Sequence, residues 1–337
     1  MSERPKIKDI AERAGVSVAT VSRALSGSSL VTDETRKRVN ALARELNYRP
    51  NVSARNLRTR RSMSVLLVVR DVGNPFYLEI LKGVEATARE AGYAVLMGNT
   101  ENDPDREVEY FNMLRDGHAD GMILMTGKLP PPQPGESADL SHLPVVIALE
   151  MIEGSGFPHV QIDNVAAAQA AVEHLIALGH RRIAHIAGPL PEVMALHRRD
   201  GYRVAMKAAS LEIPEGYEVR GDYLLESGEA RAAELFALPE PPTAIFAAND
   251  DMAAATCMEA QRRGLRIPDD VAVASFNDIP VAQFLGPPLS TVKIPAEVIG
   301  ETAVDLLVER LTGRDVAKKV ILGTEMVWRG STAAAGA

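Results

Sequence analysis

At 337 residues, with 46% hydrophobic and 24% charged side chains, the chain has the composition of a globular protein of two or three domains. A single cysteine, Cys257, excludes a disulfide framework or a cysteine metal site, and no apolar run reaches the length of a membrane span. The net charge of −8 argues against nucleic acid only as an average, because residues 1–61 hold 14 Lys and Arg against 6 Asp and Glu, a net of +8, and the remainder holds 23 against 39, a net of −16.

A basic module on an acidic body is the charge pattern of a DNA-binding head on a sensor domain. No apolar leader follows the Met-Ser-Glu-Arg start, which predicts a cytoplasmic protein.

The head begins with Ile7, Ile10, Ala11 and Ala14 at helical spacing, and Gly15 breaks the run. Ser17 is a good N-cap for a second helix with Val21 and Leu25 on its inner face. Two short helices joined by a glycine-containing turn predict a helix-turn-helix. The outward positions of the second helix are Val18, Ala19, Thr20, Ser22 and Arg23. These small or hydrogen-bonding residues can approach base edges in a major groove, and the one Arg can address guanine. A third helix runs from Thr32 to about Leu46, with Thr32 as cap and Val39, Leu42, Ala43 and Leu46 as its buried stripe.

Residues 51–61 read equally as a polar, basic linker and as a short helix carrying Arg55, Asn56 and Leu57. In the second case Leu57 has no core of its own to enter, and could wedge between base steps from the minor groove.

From Met63 the pattern changes. Apolar runs at 64–69, 93–97, 122–125, 145–149, 182–187, 244–248 and 271–275 alternate with helices at about 75–91, 104–115, 165–178, 198–211, 227–237, 252–263 and 295–311. Such alternation means parallel sheets covered on both faces. Seven units are too many for one compact sheet, so two doubly wound lobes are predicted, dividing near residues 159–163.

Ligands of doubly wound sheets bind beyond the carboxyl ends of the strands. Those ends carry Asp71 and Asn74-Pro75-Phe76-Tyr77, then Asn99, Thr126 and Glu150. They continue with Gly188-Pro189, Asn249-Asp250 and Phe276-Asn277-Asp278, with Arg198 close behind. Amides, carboxylates, one guanidinium and aromatics suit a neutral, polyhydroxylated ligand. Singly, Asn74 and Asn249 read as well as helix caps, and Asp278 as a strand end. Enzyme chemistry has no anchor. There is no phosphate loop of the Walker or dinucleotide type, no nucleophile elbow, and no His/carboxylate cluster with metal spacing.

The runs AGVSVATVSRALSG, NYRPN (Asn47–Asn51), SARNL (Ser53–Leu57) and NPFY resemble the LacI/GalR family of bacterial repressors. So do LGHRRIAHIAGP, GDY with ESG, PPTAIFAANDDMA, RGLRIPDDVAVASFND and PPLSTV, in order along the whole chain. The segments around GDYLLESG and VAQFLGPPLSTV look most like the nucleoside- and purine-responsive members. The resemblance implies a small all-α helix-turn-helix head (residues 1–50), a hinge helix (51–61) and a two-lobed α/β body of doubly wound parallel sheets (62–330), similar to periplasmic binding proteins. The N-lobe would be about 62–160 plus part of 290–325, and the C-lobe about 161–289 plus the end of the chain.

It implies no cofactor, and a homodimer, sometimes a tetramer, on a palindromic double-stranded DNA operator, answering to a small effector. Carried over, Val18, Ala19 and Arg23 would read bases, Ser17, Thr20 and Ser22 would add phosphate or supporting contacts, and Leu57 would be the minor-groove wedge beside Arg55 and Asn56. Phe76, Tyr77, Glu150, Arg198, Tyr223, Asn249 and Asn277 would line the effector pocket. Two departures bear on the effector. Asn277 stands where relatives usually have a carboxylate, and Leu190–Met194 is acidic and apolar where purine-responsive members are polar and partly basic. A sugar or nucleoside is therefore expected rather than a free base. The same fold also serves corepression, by a small molecule or a protein.

Overall fold

The computed structural model describes residues 5–48, 61–132 and 140–332, and the chain divides into two compact units, 1–62 and 63–337. The first unit contains α1 (Ile7–Ala14), α2 (Val18–Leu25) and α3 (Asp33–Glu45). Gly15 closes α1 in the left-handed conformation (φ 64°), as the break in the apolar run requires. Ser17 caps α2 by accepting from Thr20 N, and Thr32 caps α3 by accepting from Thr35 N. Ile10, Val21 and Val39, one from each helix, are completely buried and form the centre of the small core. Arg36 does structural work here. It donates to the carbonyls of Ser28 and Val31, which ties down the loop between α2 and α3.

The second unit is built on two six-stranded sheets of the same design. The first runs β2 (Ala94–Asn99), β1 (Ser64–Val69), β3 (Gly121–Leu124), β4 (Val145–Ala148), β5 (His159–Ile162) and β11 (Lys319–Leu322), all parallel. The second runs β7 (Glu218–Arg220), β6 (Ile183–Ala187), β8 (Ala244–Ala247), β9 (Ala272–Asn277), β10 (Ser290–Lys293) and β12 (Glu325–Val327), parallel except for β12. Both repeat the order 2-1-3-4-5, which puts a crevice at the strand carboxyl ends. The chain crosses between lobes after β5, after β10, and between β11 and β12.

The first lobe is covered by α4 (Pro75–Glu90), α5 (Pro104–Arg115) and α10 (Ala296–Leu311); the second by α6 (Asn164–Ala177), α7 (Val193–Ala208), α8 (Leu225–Phe236) and α9 (Asp250–Arg262). Helices α4 and α10 touch through glycines. A Cβ on Gly83 would lie 2.0 Å from Glu297 O, and one on Gly300 2.3 Å from Ile80 O, so only glycine admits this approach.

The structure departs from the strand and helix expectations in two ways. Five strands, β5, β7, β10, β11 and β12, escape the periodicity reading because each carries polar or charged residues in place of a continuous apolar run, and several are half exposed. Helix α7 begins at Val193 rather than Arg198. That extra turn puts Arg198 inside the helix, with its guanidinium buried.

Candidate functional site

On the head, Ser17, Val18, Ala19 and Arg23 are exposed on α2, and Thr20 and Ser22 are half-buried beside them. Val18, a large apolar side chain, is 40% exposed. The Ser17 hydroxyl is shared between its cap bond to Thr20 N and a 2.9 Å contact with Thr20 Oγ1. Arg13 and Arg36 are ion-paired to Glu45 and Asp33, whereas the Arg23 guanidinium has no ion-pair partner among the described residues. Arg55, Asn56 and Leu57 lie outside the described residues.

In the body, the two sets of strand ends enclose a cavity of about 510 Å³. The first lobe contributes Arg70 and Asp71 from the end of β1, Asn74, Phe76 and Tyr77 from the start of α4, and Leu149. The second contributes Glu192, Met194, Arg198, Asp222, Tyr223, Asn249 and Asn277. Six of the seven pocket candidates therefore meet around one space. The seventh, Glu150, stands behind the wall, 2% exposed, and accepts from Arg70 Nη2 at 2.8 Å.

Most of these side chains are held from behind. Arg198 is 3% exposed; its Nε donates to Asn164 Oδ1 (3.0 Å), its Nη1 to Ala248 O (2.5 Å), and its guanidinium lies 3.9 Å over the Phe276 ring. Those partners are neutral, and burial lowers its pKa. Asn249 caps α9 through Met252 N and donates to Tyr223 O at 2.9 Å, anchoring a residue with φ of 74°. Both single-residue readings thus hold together, since Asn74 and Asn249 cap helices and line the cavity.

Neither Asp250 nor Asp251 is the cap of α9. Asp250 is buried and accepts from Ser275 Oγ, Thr291 Oγ1 (2.8 Å) and Ile279 N (2.7 Å). This fixes the end of β9, where Asn277 and Asp278 carry φ of 114° and 59°. Burial pushes the Asp250 carboxyl up to about 7 against those donors.

Three buried polar atoms on the lining have no partner in the described structure: Arg70 Nε, Tyr223 Oη and Asn277 Oδ1. Buried polar atoms are normally paired, so one donor, one hydroxyl and one acceptor stand unsatisfied on residues that line the cavity. Burial pushes the Tyr223 hydroxyl up to about 12, so it stays protonated and can donate. Arg70 and Asp222 are absent from the sequence candidates, and Glu192 enters there only as the acid of the Leu190–Met194 stretch. Arg70 gives one signal in retrospect: a charged residue directly ending a five-residue apolar run at Val65–Val69. Among the described residues no cluster could hold a metal ion, and no helix is long and apolar enough to cross a membrane.

Comparison with known proteins matches residues 6–51 to the model of bacterial regulatory proteins, lacI family, and residues 172–332 to the periplasmic binding protein-like domain. The chain is 37% identical over 330 residues to the HTH-type transcriptional repressor CytR of Escherichia coli, spanning 97% of this chain and 96% of that protein. It is 34% identical over 310 residues to the ribose operon repressor of Escherichia coli, spanning 91% and 93%. Among solved structures it is similar to the transcriptional regulator CelR–cellobiose complex (33% identity, TM-score 0.72, 97% of this chain and 100% of that one). It also resembles the lac repressor dimer bound to operator and the anti-inducer ONPF (27% identity, TM-score 0.87, 98% and 100%).

Proposed function

The chain belongs to the lacI family of bacterial regulatory proteins and is a DNA-binding transcriptional regulator, not an enzyme; we propose that it represses transcription from a palindromic operator until a neutral sugar or nucleoside fills the interlobe cavity. The unpartnered Arg70 Nε, Tyr223 Oη and Asn277 Oδ1, on lining residues drawn from both lobes, carry this reading. They call for hydroxyl and carbonyl groups, and Phe76, Tyr77 and Tyr223 supply faces for a ring. Charge narrows the class. The lining holds Asp71, Glu101, Glu192 and Asp222 against Arg70 and Arg198, so a phosphorylated or carboxylated ligand would meet a net negative wall. A nucleoside joins both demands in one molecule, a hydroxylated ring and a flat base. CelR holds cellobiose in its complex, and the ribose operon repressor is named for a sugar operon.

On the head, Val18, Ala19 and Arg23 read bases, Ser17, Thr20 and Ser22 contact the backbone, and Leu57 acts as the wedge. Effector binding shifts the population of lobe arrangements and thereby the affinity of the paired heads. A second copy of the chain is supported by apolar surface in need of cover. Leu96 and Met97 are 36% and 37% exposed on the edge strand β2, and Phe284 is 78% exposed.

Calorimetric titration of the purified protein with ribose, cellobiose, cytidine, uridine and adenosine tests the cavity. At least one should bind, and Arg198→Ala should weaken that binding by ~100-fold, about 3 kcal/mol of lost buried charge-assisted hydrogen bonding. Unchanged binding by Arg198→Ala would remove the cavity from the mechanism, and operator affinity raised rather than lowered by the bound compound would make it a corepressor.

A further inference from the structure

Both lobes converge on one guanidinium. Arg70 ends β1 in the first lobe and is 8% exposed. Its Nη2 donates to Glu150 Oε1 of the same lobe at 2.8 Å. Its Nη1 donates to Glu192 Oε2, which belongs to the second lobe and precedes α7. Glu150 is 2% exposed and the Glu192 side chain 19%, so the trio sits in low dielectric, where a charged contact resists screening. Burial works against the Arg70 charge, but Glu150, Tyr77 and Glu192 outweigh it, and its pKa is raised. The Nε–H, buried and without a partner, belongs to a residue on the cavity wall.

We propose that Glu150–Arg70–Glu192 is an interlobe clasp that holds the effector-free protein in its operator-binding lobe arrangement, and that Arg70 Nε is the group an entering effector takes as the clasp opens. Glu150 aims Arg70 across the crevice, and Glu192 is the catch. Glu150 keeps its place on the guanidinium when Glu192 lets go, and the cavity wall is net acidic, so the acceptor that engages Nε is a neutral oxygen. In a two-state equilibrium, weakening the clasp populates the other arrangement without any effector. The same change lowers what the effector must overcome.

The inference rests on the reading that the effector-free protein is the form that binds DNA, and its test is made without effector. The full-length protein selects its own operator from random duplexes, and affinity for that duplex is compared among variants shown to be folded by circular dichroism. Glu192→Gln, which keeps shape and removes the catch, should weaken operator binding at least three-fold. Arg70→Met should weaken it as much or more, and Arg70→Met with Glu192→Gln no further than Arg70→Met alone. Glu218→Gln, which breaks the Arg203 ion pair within the second lobe, should stay within two-fold of wild type. A loss under three-fold for Glu192→Gln, a gain in affinity, or additive losses in the double variant overturns the clasp. Failure of the proposed function has a different signature: none of the five compounds bound by the wild-type protein, whatever the variants do.

Discussion

The head and the cavity divide structure from function differently. In the head, the core of Ile10, Val21 and Val39 faces inward, and the candidate base readers Val18, Ala19 and Arg23 face outward with no role in packing. In the cavity the side chains proposed to meet the effector also hold the structure together. Asn249 caps a helix and anchors Tyr223, Arg198 joins α7 to the carbonyl of Ala248, and Arg70 ties one lobe to the other. Substitution should therefore separate recognition from stability in the head and fail to do so around the cavity.

The largest effect is expected at Asp250. Asp250→Ala leaves the hydroxyls of Ser275 and Thr291 and the N–H of Ile279 buried without their acceptor, at ~1–3 kcal/mol for each buried group so abandoned. Denaturant unfolding of the body should show a total loss of about 4 kcal/mol, with effector binding reduced because the turn holding Asn277 relaxes. Full stability with lost binding would mean that recognition is separable here too.

His185 offers a test by pH. It is fully buried between Tyr202 and Phe246, with Nδ1 against Phe246 O, and burial lowers its pKa to about 4. An unfolded chain takes up that proton near pH 6.5, so the folded state loses stability as pH falls from about 6.5 towards 4 and keeps it above that window. The loss amounts to about 3 kcal/mol. Relative to wild type, His185→Phe should gain stability steadily as pH falls through that window, and parallel pH profiles would show that His185 is not held neutral. The head has no buried titratable group of this kind among its described residues, so its own transition should not follow this profile.

Arg23→Ala should reduce discrimination between operator and mismatched duplex by ~1–3 kcal/mol. Thermal stability of the head should stay within ~0.5 kcal/mol, as for other surface changes. Equal loss on every duplex would make Arg23 a phosphate contact, and a stability loss would give the head the same double use of residues as the cavity.

This contrast also explains what could be read from the residues. The head was legible because its signals are local: Gly15, Ser17 and Thr32 punctuate apolar spacing within one or two turns. The two-lobed body is legible from buried, continuously apolar strands alternating with helices, while β11 and β12, half exposed and opening on Lys319 and Glu325, carry no such signal. Asn74 and Asn249 stood out as polar residues at strand ends. Arg70 and Glu192 did not, because their meaning arises from a contact spanning 122 positions that no local pattern encodes.

The smallest effect falls on a head residue where the division breaks down. Ser17 is exposed on the face assigned to DNA, and its hydroxyl also accepts from Thr20 N to start α2. Ser17→Ala should cost the head about 1 kcal/mol, the usual worth of an N-cap, and lower operator affinity by an amount that mixes both roles. Ser17→Asp separates them. A carboxylate caps as well as a hydroxyl and favours the positive helix N-terminus, so stability should hold or rise slightly. A new negative charge facing phosphate should still weaken binding on every duplex alike. If Ser17→Asp binds as well as wild type, Ser17 serves the fold alone, and the partition between an inward structural face and an outward reading face of the head is complete.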